Sequence, residues 1–162
     1  MNPDWNDRTA REEGYAVAAD PGQGAVTMSD GKRQVRIFAP AESLGDCVWI
    51  LDRMLNGENL IDLDLYDLGL WDGWRVACRQ SVLIPPERLD HLPAQQIGPE
   101  WGQVQTLLLH FAVPEEADFL TLIDELCAQF MEAASKDANV MFSAEFSSND
   151  FLRLEVLGLT KD

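Results

Sequence analysis

Between residues 57 and 74 the chain carries Glu58, Asp62, Asp64, Asp67 and Asp72, interleaved with Tyr66, Trp71 and Trp74, and no Lys or Arg. Two kinds of chemistry fit carboxylates in this pattern. The first is ligation of a hard cation, since a strand would put Asp62 and Asp64 on one face with Cα atoms about 6 to 7 Å apart. Such a cation takes about six or more oxygens at defined positions, and neither Asp67 nor Asp72 completes that set. The second is docking of a basic protein surface, where carboxylates steer and orient the partner and large rings supply desolvated contact area. The second reading names Asp62, Asp64, Asp67, Trp71, Asp72 and Trp74 as partner-binding residues. The competing structural reading makes the segment a solvated sheet face whose acids pair with Arg75 and Arg79, with the tryptophans plugging the end of the core.

Other reactive residue types are sparse. The histidines are His91, in a connector, and His110, on a strand beside Phe111. A nucleophile needs an aligned base and a group that orients it, and sequence spacing supplies neither here. Cys47, Cys78 and Cys127 are far apart and fall in apolar patterns. Their odd number and lack of clustering point away from a disulfide framework or zinc site, and toward buried thiols in a reducing cytoplasm. Gly22-Gln23-Gly24 is no phosphate loop, because neither a helix nor a Lys follows it directly. Lys32, Arg33 and Arg36 make a basic patch too short to suggest nucleic-acid binding. No catalytic residue, metal or cofactor is therefore assigned.

The charge balance narrows the partner. With 28 acidic and 12 basic residues, the 162-residue chain has a formal net charge of −16. Nucleic acid and anionic membranes repel such a molecule, and a basic protein attracts it. Hydrophobic residues make up 46%, too many for a disordered chain, and the length suits one domain. Met1-Asn2-Pro3-Asp4-Trp5 does not read as a secretory signal, and no apolar run approaches the roughly 18 residues of a membrane span.

The elements that must position these residues follow from periodicity and turn chemistry. Residues 1–13 are polar, with at most a helical turn around Trp5. Residues 15–19, 25–29 and 33–39 read as a meander of three strands, joined through Asp20-Pro21-Gly22-Gln23-Gly24 and Ser29-Asp30-Gly31-Lys32. Leu44, Cys47, Val48, Leu51, Met54 and Leu55 form one stripe of a helix over 43–56, with Asn56-Gly57 as its stop. Ile61, Leu63 and Leu65 alternate with polar residues, and Asp72-Gly73 predicts a hairpin back to Val76, Cys78, Val82 and Ile84. That register sets Tyr66 opposite Arg79 and Asp64 opposite Ser81.

Residues 85–103, rich in Pro and Gly, read as a connector, and such long loops often carry function. Beyond it, a strand over 104–112 precedes a helix over 115–135 with a stripe of Phe119, Leu122, Ile123, Leu126, Phe130 and Ala134. Its acids, from Glu115 to Glu132, read as a solvated face, or as an acidic helix offered to a basic groove. Strands 139–147 and 151–158 are expected to pair as a hairpin through Ser148-Asn149-Asp150, with Glu145 opposite Arg153.

The order strand, helix, strand, strand occurs twice, and Arg36–Glu42 lines up with Leu109–Glu115. The expected fold is one α+β domain: a mainly antiparallel sheet with two helices on one face, built from a pseudo-duplicated β-α-β-β unit preceded by a short β-hairpin. Residues 13–84 hold the meander and first repeat, and 104–158 the second. The expected function is that of a cytoplasmic, non-enzymatic acidic binding protein for a basic protein, such as an immunity protein that inhibits a toxin nuclease. A secretion chaperone or adaptor is the alternative, as is a small ligand-binding domain or enzyme with a pocket between the repeats.

Overall fold

Residues 107–111 and 113 are apolar or aromatic but for His110, and all are buried. An unbroken run of this kind belongs to a strand covered on both faces. The computed structural model, which describes residues 14–61 and 63–161, places it in the interior of one eight-stranded sheet. The elements are β1 (Ala16–Asp20), β2 (Ala25–Ser29), β3 (Gln34–Phe38), α1 (Leu44–Asn56), β4 (Asn59–Ile61), a four-residue helix α2 (Leu65–Leu68), β5 (Arg75–Ile84), β6 (Thr106–Pro114), α3 (Phe119–Ala133), β7 (Asn139–Ser147) and β8 (Leu152–Thr160). The strand order is β1-β2-β3-β5-β8-β6-β7-β4. The fold is α+β. The sheet is mixed, with β3–β5 and β6–β7 parallel and the other pairs antiparallel, which corrects the mainly antiparallel expectation.

The two long helices lie on opposite faces. Leu107, Leu109, Phe111 and Val113 pack with Leu122, Ile123, Leu126 and Phe130 of α3, whereas Leu108 packs with Ile50, Leu51 and Met54 of α1. Strand β8 divides in the same way: Leu152, Leu154 and Val156 face α3, and Leu157 and Leu159 face α1. The expectation of two helices on one face is thus corrected. The continuous apolar run of β6 calls for cover on both sides, which one layer of helix cannot supply.

The meander of β1, β2 and β3 forms as expected, with Gly24 supplying the positive φ of the first turn. The two expected hairpins do not form. Strand β4 pairs with β7 at the far edge, not with β5, and residues 65–68 are helical. Strand β8 passes β7 and enters between β6 and β5, while β7 runs parallel to β6. A parallel pair needs a crossover, and α3 provides it. The two halves share element order but not strand pairing: β3 meets β5 in parallel, whereas β6 meets β8 antiparallel.

A bulge in β5 adds a further correction. Val76 opposes Leu159 and Cys78 opposes Gly158, leaving one extra residue between them. Val76 therefore faces α1, while Cys78, Val82 and Ile84 face α3. Gly158 permits this packing, since a Cβ there would lie 2.6 Å from Val104 Cγ2 and 2.9 Å from Trp101 Cζ3. Trp101 and Val104, at the end of the 85–103 connector, are buried, and the Trp101 ring meets Phe130 edge-on at 5.4 Å.

Candidate functional site

The acidic segment forms a cap and a plug. Asp64 is the N-cap of α2, and its carboxylate accepts from Asp67 N at 2.9 Å. Asp67 Oδ2 accepts in return from Asp64 N at 3.0 Å. This reciprocal capping satisfies two backbone donors that a helix start leaves open. Beyond it, Leu65, Leu68 and Trp71 recur at helical spacing and enter the core beneath α1, with Trp71 only 4% exposed. Asp72 Oδ1 accepts from Arg36 N at 2.8 Å, and Gly73 N donates to Arg36 O at 2.7 Å. Gly73 takes φ +85°, so the predicted Asp72-Gly73 turn exists, but it joins α2 to β5 and ties both to β3. Trp74 is half-buried against the same core. Asp62 lies outside the described residues. The exposed ring of the segment is Tyr66, with the Arg33 guanidinium 5.4 Å from its centroid. Among the described residues Arg79 pairs with Asp46 at 3.1 Å and not with the segment's acids.

A larger acidic surface lies at the carboxyl ends of β5, β6 and β7. There a groove of about 890 Å³ is lined by Asp90, Glu115, Glu116, Asp118, Glu125 and Asp150, and no Lys or Arg is among its lining residues. Pro86 and Leu89 of the connector form one wall, and the start of α3 forms another. Asp118 caps α3: its carboxylate accepts from Thr121 N and, at 2.9 Å, from Thr121 Oγ1. The groove was not legible in the sequence because its acids come from three segments that only the fold brings together. Four of its six acids, Glu115, Glu116, Asp118 and Glu125, belong to the stretch expected to be a solvated helix face or an acidic helix offered to a basic groove.

A polar row crosses the sheet under α1. Ser81, Glu155, His110 and Ser143 are consecutive register partners on β5, β8, β6 and β7. Ser81 Oγ donates to Glu155, and His110 Nδ1 lies 2.6 Å from Ser143 Oγ. On the next step of β7, Glu145 Oε2 stands 3.6 Å from His110 Nε2, and its other oxygen accepts from Arg53 of α1. The expected Glu145–Arg153 pair is absent, because β7 and β8 are not neighbours; Arg153 Nε bonds Glu155 at 2.9 Å instead. Burial raises the Glu145 pKa, but the His110 and Arg53 contacts outweigh it and hold the carboxyl below its ordinary value. Serine, histidine and glutamate thus meet, yet Ser143 is 0% and His110 2% exposed, so no substrate reaches the hydroxyl in this conformation. The cluster joins α1 to the sheet.

The cysteines are free and buried. Burial pushes the thiols of Cys47 and Cys127 up to about 11, where thiolate is scarce at neutral pH. Among the described residues, no group of His, Cys, Asp or Glu has the geometry of a metal site, and no helix is long and apolar enough to cross a membrane.

No family model matches the sequence, and no curated protein matches it. Among solved structures, a chain of the empty FtsZ dimer from M. jannaschii is similar with a TM-score of 0.56 at 14% identity, over 74% of this chain and 37% of that one. An M. jannaschii FtsZ point mutant gives 0.48 at 14% identity, over 75% and 43%. GDP-form protofilaments of Bacillus thuringiensis serovar israelensis TubZ give 0.46 at 13% identity, over 74% and 37%. The likeness to the FtsZ dimer chain is one of fold, and this chain spans little more than a third of that chain's length.

Proposed function

We propose that this chain is a non-enzymatic, cytoplasmic acidic binding protein that docks a basic protein partner. The observation that supports it best is the groove with six carboxylates and no base on its walls. A concave surface of one charge sign concentrates its field and raises the encounter rate with the opposite sign. The start of α3 would favour an anion by its dipole, but Glu115, Glu116 and Asp118 reverse that preference, so a phosphate-bearing ligand is disfavoured there. In its concrete form the protein is an immunity protein that occupies the face of a basic toxin domain. A nuclease site must attract polyanions, and an acidic groove competes for that face.

The test is calorimetric titration with an eight-residue lysine-rich peptide in low salt. The native chain binds, and affinity falls with salt. A variant with Glu116→Gln, Glu125→Gln and Asp150→Asn binds about ten-fold more weakly or worse. Equal binding by the two proteins overturns the groove as the docking surface.

A further inference from the structure

On the opposite face of the sheet, a cleft of about 310 Å³ opens between α1 and strands β5 and β8, lined by Asp46, Trp49, Ile50, Arg79, Ser81, Arg153 and Glu155. Its helical wall follows from spacing, because residues 46, 49, 50 and 53 fall on one edge of α1. Its floor is the Ser81–Glu155 pair.

The charges here are oriented. The Glu155 side chain is 3% exposed, whereas its partner Arg153 is 48% exposed. Beside it, Glu145 is 9% exposed and its partner Arg53 is 41% exposed. In these two pairs the carboxylate is inside and the guanidinium outside, so each presents its positive end to solvent, whereas in the Arg79–Asp46 pair the carboxylate is the more exposed partner, 59% against 34%. Around Trp49 an otherwise acidic protein therefore offers cations. The Arg153 guanidinium lies 4.6 Å from the Trp49 ring centroid and that of Arg53 6.0 Å. Arg153 spends its Nε on Glu155, and one Nη of Arg79 meets Asp46; the other donors of both have no protein acceptor among the described residues. Trp49 is 44% and Leu83 64% exposed, and Leu83 is the register partner of Arg153.

We propose that this cleft binds a small planar carboxylate, its oxygens on the open donors of Arg79 and Arg153 and its apolar body against Trp49 and Leu83. Two guanidinium forks suit a carboxylate better than any neutral group, since a fork offers paired donors at carboxylate spacing. The cleft is near the lower end of ligand-site volumes, roughly 300 Å³, which restricts the occupant to an acid of about the size of benzoate. The site is separate from the acidic groove in face and in carrying Arg79 and Arg153, where the groove has no base, and it stands whether or not that groove docks a partner.

The experiment is an NMR titration of the full chain with benzoate in low salt, reading the Trp49 indole N–H, assigned through Trp49→Phe, and the Arg153 Nε–H. Benzoate is expected to shift both signals, while benzamide, its neutral isostere, binds about ten-fold more weakly. Arg153→Gln and Arg79→Gln each weaken benzoate by a similar factor, with melting curves confirming that the variants fold. A short peptide ending in a phenylalanine carboxylate, set against its amidated form, separates a chain terminus from a free acid as the source of the group. Binding of either free acid or terminus, lost on amidation or in the Arg variants, supports the site. No shift from benzoate or peptide, equal shifts from benzamide, or equal shifts from inorganic phosphate overturns it.

Discussion

His110 and Ser143 face each other across the parallel pair β6–β7, with Nδ1 2.6 Å from Oγ, both side chains buried beneath α1. A buried polar atom that loses its partner costs its desolvation in full. Ser143→Ala should therefore lower stability by about 1 to 3 kcal/mol in urea unfolding. A variant as stable as the native chain removes the hydrogen bond from the account of how the sheet is held.

Glu145 gives the molecule an acid-side dependence. Its folded pKa lies below the ordinary carboxyl value, so folding favours the ionised form. The stability from this group is present above the unfolded Glu value, about 4.3, and is lost as pH falls through the lower folded value. At neutral pH Glu145→Gln should cost about 2 kcal/mol, because Arg53 loses its charged acceptor and His110 the carboxylate beside its ring. The cost should shrink as the pH drops below about 4. Chemical denaturation at pH 7 and pH 3 checks this, and a penalty independent of pH contradicts it.

The acidic segment should behave as structure in stability experiments. Asp64→Ala removes half of the reciprocal cap on α2 and should cost about 1 kcal/mol. Trp71→Ala empties a core site and should cost about 3 to 5 kcal/mol. Tyr66→Ala, on an exposed ring, should stay within about 0.5 kcal/mol. Thermal melts of the three rank them directly; a Trp71→Ala protein that melts like the native one would place the ring outside the core.

Gly158→Ala tests the bulge. Its Cβ would press on Val104 and Trp101, one a short branched side chain and the other a packed ring with little room to yield. The expected loss is about 1 to 3 kcal/mol, as for overpacking. No loss would mean that the connector's Trp101 moves freely over β8.

The buried thiols should be inert. With Cys47 and Cys127 raised to about 11, roughly one molecule in a thousand carries thiolate at pH 8. Reaction with a thiol reagent should be slow in buffer and complete on unfolding, as absorbance shows. Rapid labelling of either under native conditions contradicts the burial.

The sequence by itself determined the local structure. The α1 stripe, the α3 stripe, the first three strands and the turn at Gly73 follow from periodicity and from residues that tolerate special backbone angles. The overall charge and the isolation of the cysteines were legible in the same way. Tertiary structure decided which strands are neighbours. The hairpin signals at Asp72-Gly73 and Ser148–Asp150 are local, and nothing local tells β8 to pass β7 and pair with β5 and β6. Only the insertion of β6, buried on both faces, between α1 and α3 rewards that pairing. The same cause governs the sites. That Asp64 caps α2 and that Trp71 enters the core is visible only in the structure. The polar row, the acidic groove and the Trp49 cleft each join residues from three or more elements, so they exist only once the strand order has been set.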